Sequence, residues 1–185
     1  IDCGHMPGNS LVPEDASAFR WMHEIVSYEP ADLFNKEQLG RLASLGIEKG
    51  KPFEPDARMQ RIFDQAAKQG VAMSRVITFA SRDPEEKLYK GMSWGTPFLG
   101  GSSEFLKNGY RNLAARTLYH YNAIVVTPAM AAPMPEGKGS KYSSTYVDEN
   151  GDFLDGSKTY KLHVPPNVPV REFWSITVYD PATRS

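Results

Sequence analysis

The sequence predicts an α+β fold, with a helical N-terminal part followed by the first strands of an antiparallel sheet. Three observations carry this. The first half repeats a grammar of N-cap, helix-spaced apolar residues and Gly or Pro stop. After residue 122 the stops and caps give way to Asp/Asn/Gly turn chemistry between short alternating segments. The stretch 173–179 then alternates cleanly, with Phe173, Ser175, Thr177 and Tyr179 on one side and Trp174, Ile176 and Val178 on the other. That is a period-two pattern rich in aromatic and β-branched residues. Helices followed by strands favour α+β or a helical lobe beside a sandwich.

Each element follows in turn. "PEDASAFRWMHEIVSYEP" places Phe19, Met22, Ile25 and Val26 at helical spacing, and Pro30 stops the helix. "NKEQLGRLASLGIEKGKPF" opens on Asn35 as N-cap with Gln38 at the capping-box position, carries Leu39, Leu42 and Leu45, and stops at Gly46. "PDARMQRIFDQAAKQG" is capped by Asp56, buries Met59, Ile62, Phe63 and Ala66, and ends at Gly70. A fourth helix over 71–80 is apolar on most sides and is expected to pack deep. Residues 83–102 read as an aromatic loop. A fifth helix is expected from a Ser103 cap to about residue 120, with Tyr110, Ala114, Thr117 and Tyr121 on one stripe. Strands are expected at about 142–147 and 158–164, where Tyr160, Leu162 and Val164 alternate with Lys161 and His163, and then at 173–179 with the Trp174 face in a core. The domain reading is a mainly helical region over 1–122 and the start of a β-module over 123–185.

Composition narrows the function classes. With 185 residues, 41% hydrophobic and 23% charged, the chain is an ordinary globular one. Its 15 Gly and 14 Pro favour many turns. The net charge is −1 and no long Lys/Arg run occurs, which argues against a phosphate-tracking nucleic-acid surface. The longest apolar stretch is broken by Pro128 and Pro133, too short to span a bilayer. A single cysteine excludes an internal disulfide.

Sequence motifs for catalysis are sparse. No paired-Cys, H-E-x-x-H, G-x-S-x-G, P-loop or dinucleotide fingerprint is present, so no metal and no cofactor is assigned. Asp148, Asn150 and Asp152 match the first half of a calcium loop, but Phe153 stands where Gly is needed and Thr159 where Glu is needed. A turn held by side-chain-to-backbone bonds is the preferred reading. Cys3 with His5 lies at a terminus that offers a catalytic pair little support. "EGKGSKYSS" has phosphate-loop composition but opens a strand, so it reads as a loop. The strongest pocket set is aromatic and basic: Trp94, Tyr110, Arg116, Tyr119, Tyr121 and Asn122, with His120 beside them. Tyr and Trp give flat apolar contact with one polar end, and Arg forks a carboxylate or phosphate. The competing reading makes the tyrosines a packing interface.

The stretch "YSSTYVDENGDFLDGSKTYKLHVPPNVPVREFWSITVYDPATRS" resembles a bacterial family of paired domains of unknown function, DUF1254 and DUF1214. The residues that carry it are Tyr146, Asp148, Gly151, Leu154 and Gly156, then Tyr160, Leu162, Val164 and Pro165, then Phe173-Trp174-Ser175-Ile176-Thr177 with Tyr179 and Asp180. Upstream, "LASLGIEKGKPFEPD" and "GYRNLAARTLYHYNAI" are similar to further family segments, with Arg111 here directly following Tyr110. The resemblance spans most of residues 33–180. It implies a jelly-roll-like β-sandwich for the second module, a periplasmic or secreted location, and a longer protein of which this chain is the middle. It implies no settled activity.

Three functions therefore stay open. The first is an envelope-type protein that holds a small organic or sugar-like ligand between helical lobe and sandwich, which the aromatic set favours. An enzyme of unassigned reaction, hydrolysis among the candidates, would keep key residues elsewhere. A structural protein would use its strands for homo-oligomeric assembly.

Overall fold

The computed structural model describes residues 12–123, 127–132, 139–168 and 170–181. These form two compact units, Ile1–Met73 and Ser74–Ser185. The expected Cys3–His5 pair and the Gly137 part of the glycine loop lie outside the described residues.

The first unit is helical. Helix α1 (Ser17–Tyr28) ends where Pro30 approaches, and Lys49 Nζ donates to the carbonyls of Ser27 and Glu29 at its C-terminus, at 2.8 and 2.7 Å. A 3₁₀ turn (Ala31–Leu33) leads to α2 (Lys36–Ala43). The Asn35/Gln38 capping box forms as its spacing predicts, and Gly46 takes the left-handed φ of +79° that lets the chain leave the helix. Asp56 caps α3 (Ala57–Phe79) by accepting from the Met59 N–H at 2.7 Å. Val26, Ile47, Phe53 and Phe63 form the core, with Phe19, Met22, Phe34 and the three leucines Leu39, Leu42 and Leu45 around it.

Two expectations about α3 are corrected. Gly70 does not end a helix; α3 runs through it to Phe79. A helical Gly costs only about 1 kcal/mol relative to Ala, and with neither a Pro nor a left-handed turn behind it the hydrogen-bond ladder continues. The 71–80 stretch does not pack deep either: Met73 and Val76 are more than 60% exposed, and Thr78 is its buried residue. Of the expected stripe, Phe63 is buried and Met59 partly so, while Ile62 and Ala66 face outward.

The second unit begins in the last turns of α3 and contains two 3₁₀ turns (Pro84–Glu86 and Leu99–Gly101). The single helix expected over 103–120 is replaced by a hairpin and a shorter helix. Strands β1 (Leu106–Lys107) and β2 (Tyr110–Arg111) pair antiparallel around Asn108-Gly109, both at positive φ. Asn-Gly is the favoured pair for a type I′ turn, whose twist matches that of the flanking strands, and here it outweighs the helical spacing. Asn112 then caps α4 (Leu113–Asn122), its side chain accepting from the Ala115 N–H at 3.1 Å. Tyr110 therefore belongs to the hairpin and not to the helix stripe. Leu99, Phe105, Ala115, Leu118 and Tyr119 form the core of this unit. A one-turn helix, α5 (Pro128–Ala131), buries Ala131.

The three strands expected after residue 140 are not ladders among the described residues. Segment 142–147 makes single bridges, Ser144 to Gly95 and Val147 to Phe153. Segments 158–164 and 173–179 have no strand partner among the described residues, and Trp174, Ile176 and Val178 are at least half exposed instead of buried. Alternation fixes which side chains share a face; it does not supply a neighbouring strand. The observed class is α+β, with helices and a small two-stranded antiparallel sheet.

Candidate functional site

A cleft lies in the second unit, beside the turn Pro84–Glu86. Pro84 fixes the first φ of this turn, and the Asp83 carboxylate accepts from the Glu85 N–H at 3.0 Å. Lys107 on β1 reaches across to Asp83 Oδ2 (3.5 Å) and Glu85 Oε1 (3.3 Å), and these two carboxylates, Glu85 foremost, hold its ammonium above the usual lysine range. The turn is thus tied down from both sides, and it presents Glu86 inward.

Glu86 is only 5% exposed. Its carbonyl accepts from the Thr96 N–H at 2.8 Å, and Gly95 lies directly against it. Gly95 in turn exchanges two backbone hydrogen bonds with Ser144, at 2.8 and 2.9 Å, which docks the 142–147 segment beside the turn. Of the Glu86 side chain, Oε2 is buried without a hydrogen-bond partner. Lys87 Nζ forms an ion pair with it at 3.7 Å, beyond hydrogen-bond reach, and donates to the Ser93 carbonyl at 3.3 Å.

Around Glu86 is a cleft of about 240 Å³. Phe79, Tyr146 and Phe153 give it aromatic walls; Ser81, Ser93 and Lys87 add polar groups. The Asp148–Asp152 turn sets one wall. The Asp148 carboxylate accepts from the N–H groups of Asn150 and Asp152, at 2.9 and 3.1 Å, and Gly151 takes φ +85°, which brings Phe153 opposite Val147. The calcium-like spacing is therefore used as a turn. Among the described residues no group of three or more His, Cys, Asp or Glu gathers where a metal ion would be held.

Tyr146 forms the back of the cleft. Its ring meets Phe79 edge-on at 4.9 Å, and its hydroxyl donates to Asn122 Oδ1 at 3.2 Å. Burial, with the Glu86 charge adding to it, pushes the phenol above the ordinary tyrosine range. A raised folded pKa keeps Tyr146 neutral at higher pH. The stability this contributes is present below about pH 10, where an unfolded tyrosine titrates, and is lost as pH rises through the folded value. In an alkaline titration followed by tyrosinate absorbance, Y146F is expected to remove amplitude from the high-pH end of the curve. Loss of amplitude centred near the ordinary value would contradict the buried phenol.

The six residues singled out from sequence are dispersed within this unit. Tyr121 and Asn122 come closest: Tyr121 packs edge-on against Phe79 (5.4 Å) with its hydroxyl 3.0 Å from Ser74 Oγ, and Asn122 holds Tyr146. Tyr119 is core, its ring tilted against those of Phe98 and Phe105. Tyr110 and Arg116 are exposed on β2 and α4, and Trp94 is half-buried, its carbonyl accepting from the Leu88 N–H at 3.1 Å. None of the six lines the cleft. Sequence reasoning missed Glu86 and Lys87, which sit in an aperiodic loop where nothing marks one acidic residue above another. Tyr146 stood only among the residues of the family resemblance.

Residues 139–185 match a family model described as a protein of unknown function, DUF1214. The matched segment contributes Tyr146, Val147, Gly151 and Phe153 to the cleft; Glu86 and Lys87 lie outside it. No curated protein matches the chain.

Proposed function

We propose that the cleft beside Glu86 binds a small organic molecule and that ligand capture is the function of this part of the protein. The observation that carries the reading is the buried Glu86 Oε2 with no hydrogen-bond donor. Leaving a buried acceptor unmade costs about 1–3 kcal/mol, and more for a charged group, so a turn of the side chain that brings the carboxylate to a donor in the cleft recovers that cost as affinity. A folded chain that holds such a group on a turn braced by Asp83 and Lys107 resembles a preorganised half-site more than a packing accident. The aromatic walls supply the apolar contact that small-molecule sites need. In the same proposal, the extended segments 142–147, 158–164 and 173–179 are the first strands of a β-sandwich. The DUF1254 pairing and a periplasmic or secreted location accompany it.

The test is ligand-observed NMR with a chemically mixed fragment library on the wild-type chain and on Glu86→Gln. Binders whose signal weakens in the variant are expected. A library with no binder, or binders indifferent to Glu86→Gln, would remove the reading.

A further inference from the structure

We propose that the outward face of α3 is an interaction surface whose partner is α3 of a second copy of the chain, packed antiparallel. The observation is a second apolar line on a helix whose inner face is already in use. Phe63 fills the core of the first unit. On another side of the same helix, Ile62, Ala66, Gln69, Met73 and Val76 follow at steps of four, three, four and three residues. All five are exposed, Met73 by 64% and Val76 by 63%. An average step of about 3.5 residues is that of a coiled-coil seam. It keeps one narrow line of side chains against a neighbour of the same pitch, so it fits a helix; a lipid surface takes a broad apolar face instead.

Self-complementarity says which helix. Two copies of α3 run antiparallel with Ile62 opposite Met73 of the second copy also set Ala66 opposite its Gln69, and both pairs recur beyond the two-fold axis. The layers are then even in bulk: a large apolar pair at each end, and a small residue against a long amide in the middle. The two Gln69 side chains fall in neighbouring central layers, where the room over Ala66 lets their amides bond each other. A polar residue at a seam position fixes register and orientation in this way. A parallel pair would set Ala66 on Ala66 and Met73 on Met73, a hole beside a bulge, and both cost packing energy. Arg58, Arg61 and Lys68 are exposed on the flank of the seam. The attraction is therefore apolar contact, and raising the salt concentration is not expected to weaken it. So few layers make a small interface, which suits a transient dimer.

The experiment uses the whole chain in two ways. Sedimentation velocity across a range of protein concentrations is expected to show a reversible monomer–dimer equilibrium. Met73→Glu sets a charge against Ile62 of the second copy and should raise the dissociation constant at least about tenfold. It should leave the far-UV circular dichroism unchanged, because Met73 is outside the core. The geometry is read by disulfides in a Cys3→Ser background, Cys3 being the sole cysteine. Under mild oxidation, a mixture of Ile62→Cys and Met73→Cys chains should give the mixed disulfide and little of either like-with-like product. Like joined to like, or no mixed product, would overturn the antiparallel register. A monomer at every concentration, a dimer indifferent to Met73→Glu, or a dimer that added salt dissociates would overturn the surface itself.

Discussion

Replacing Phe63 with alanine is expected to destabilise the helical unit Ile1–Met73 by about 3–5 kcal/mol, the usual range for emptying a fully buried aromatic site. Phe63 is 2% exposed. It stacks on Phe19 at 4.2 Å and touches Phe53 at 5.8 Å, so one ring joins α1, α3 and the loop before α3. Phe53 is in turn covered by His23 at 5.6 Å and by the Arg20 guanidinium at 6.0 Å. Small local shifts cannot fill the void, because the His23 ring is anchored by its Nε2 contact to the Lys51 carbonyl at 2.8 Å. A loss of this size is a large share of the total stability of a small domain. Urea unfolding followed by far-UV circular dichroism checks it. Ile62→Ala one position earlier, on the outer face, should cost far less. Equal losses at 62 and 63 would mean that the helix face is assigned wrongly.

That contrast also shows what was legible in the sequence. The caps at Asn35 and Asp56 are local facts: a side chain bonds a backbone group three residues away, and the pattern that encodes it is complete within one turn; Phe63 follows from helical spacing in the same window. The fold class rests on such facts and is recovered. The hairpin at Asn108-Gly109 was equally local, but its turn signal competed with helical spacing in the flanking residues, and the turn wins because two positive-φ residues leave a helix no continuation. The strands after residue 140 are a different matter. Trp174, Ile176 and Val178 share a face by sequence alone, yet burial requires a partner that no local pattern names. The cleft is least legible of all. Glu86 and Tyr146 are 60 positions apart and meet because Gly95 bridges to Ser144, a contact with no sequence signature beyond a glycine in a loop.

That glycine gives the second large effect. Gly95→Ala is expected to cost about 1–3 kcal/mol, the range for overpacking a close contact, and to displace Glu86. A Cβ at this position would lie 2.9 Å from the Glu86 carbonyl oxygen, 3.0 Å from its Cγ and 3.1 Å from its Oε1. The first of these cannot yield cheaply. The Glu86 carbonyl is held by the Thr96 N–H at 2.8 Å, and on the opposite side Gly95 is held by its two hydrogen bonds to Ser144. The side chain moves more easily than the backbone, so the added methyl displaces the carboxylate from its buried position. Stability and ligand binding should therefore fall together. Gly156→Ala is the control: nothing lies within 4 Å of its Cβ and its backbone is not left-handed, so it should change stability by less than about 0.5 kcal/mol. Thermal unfolding of both variants, with the Thr96 amide resonance as a local reporter, decides the matter. If Gly95→Ala melts with Gly156→Ala and leaves the Thr96 resonance in place, the close approach that seats Glu86 does not exist in solution.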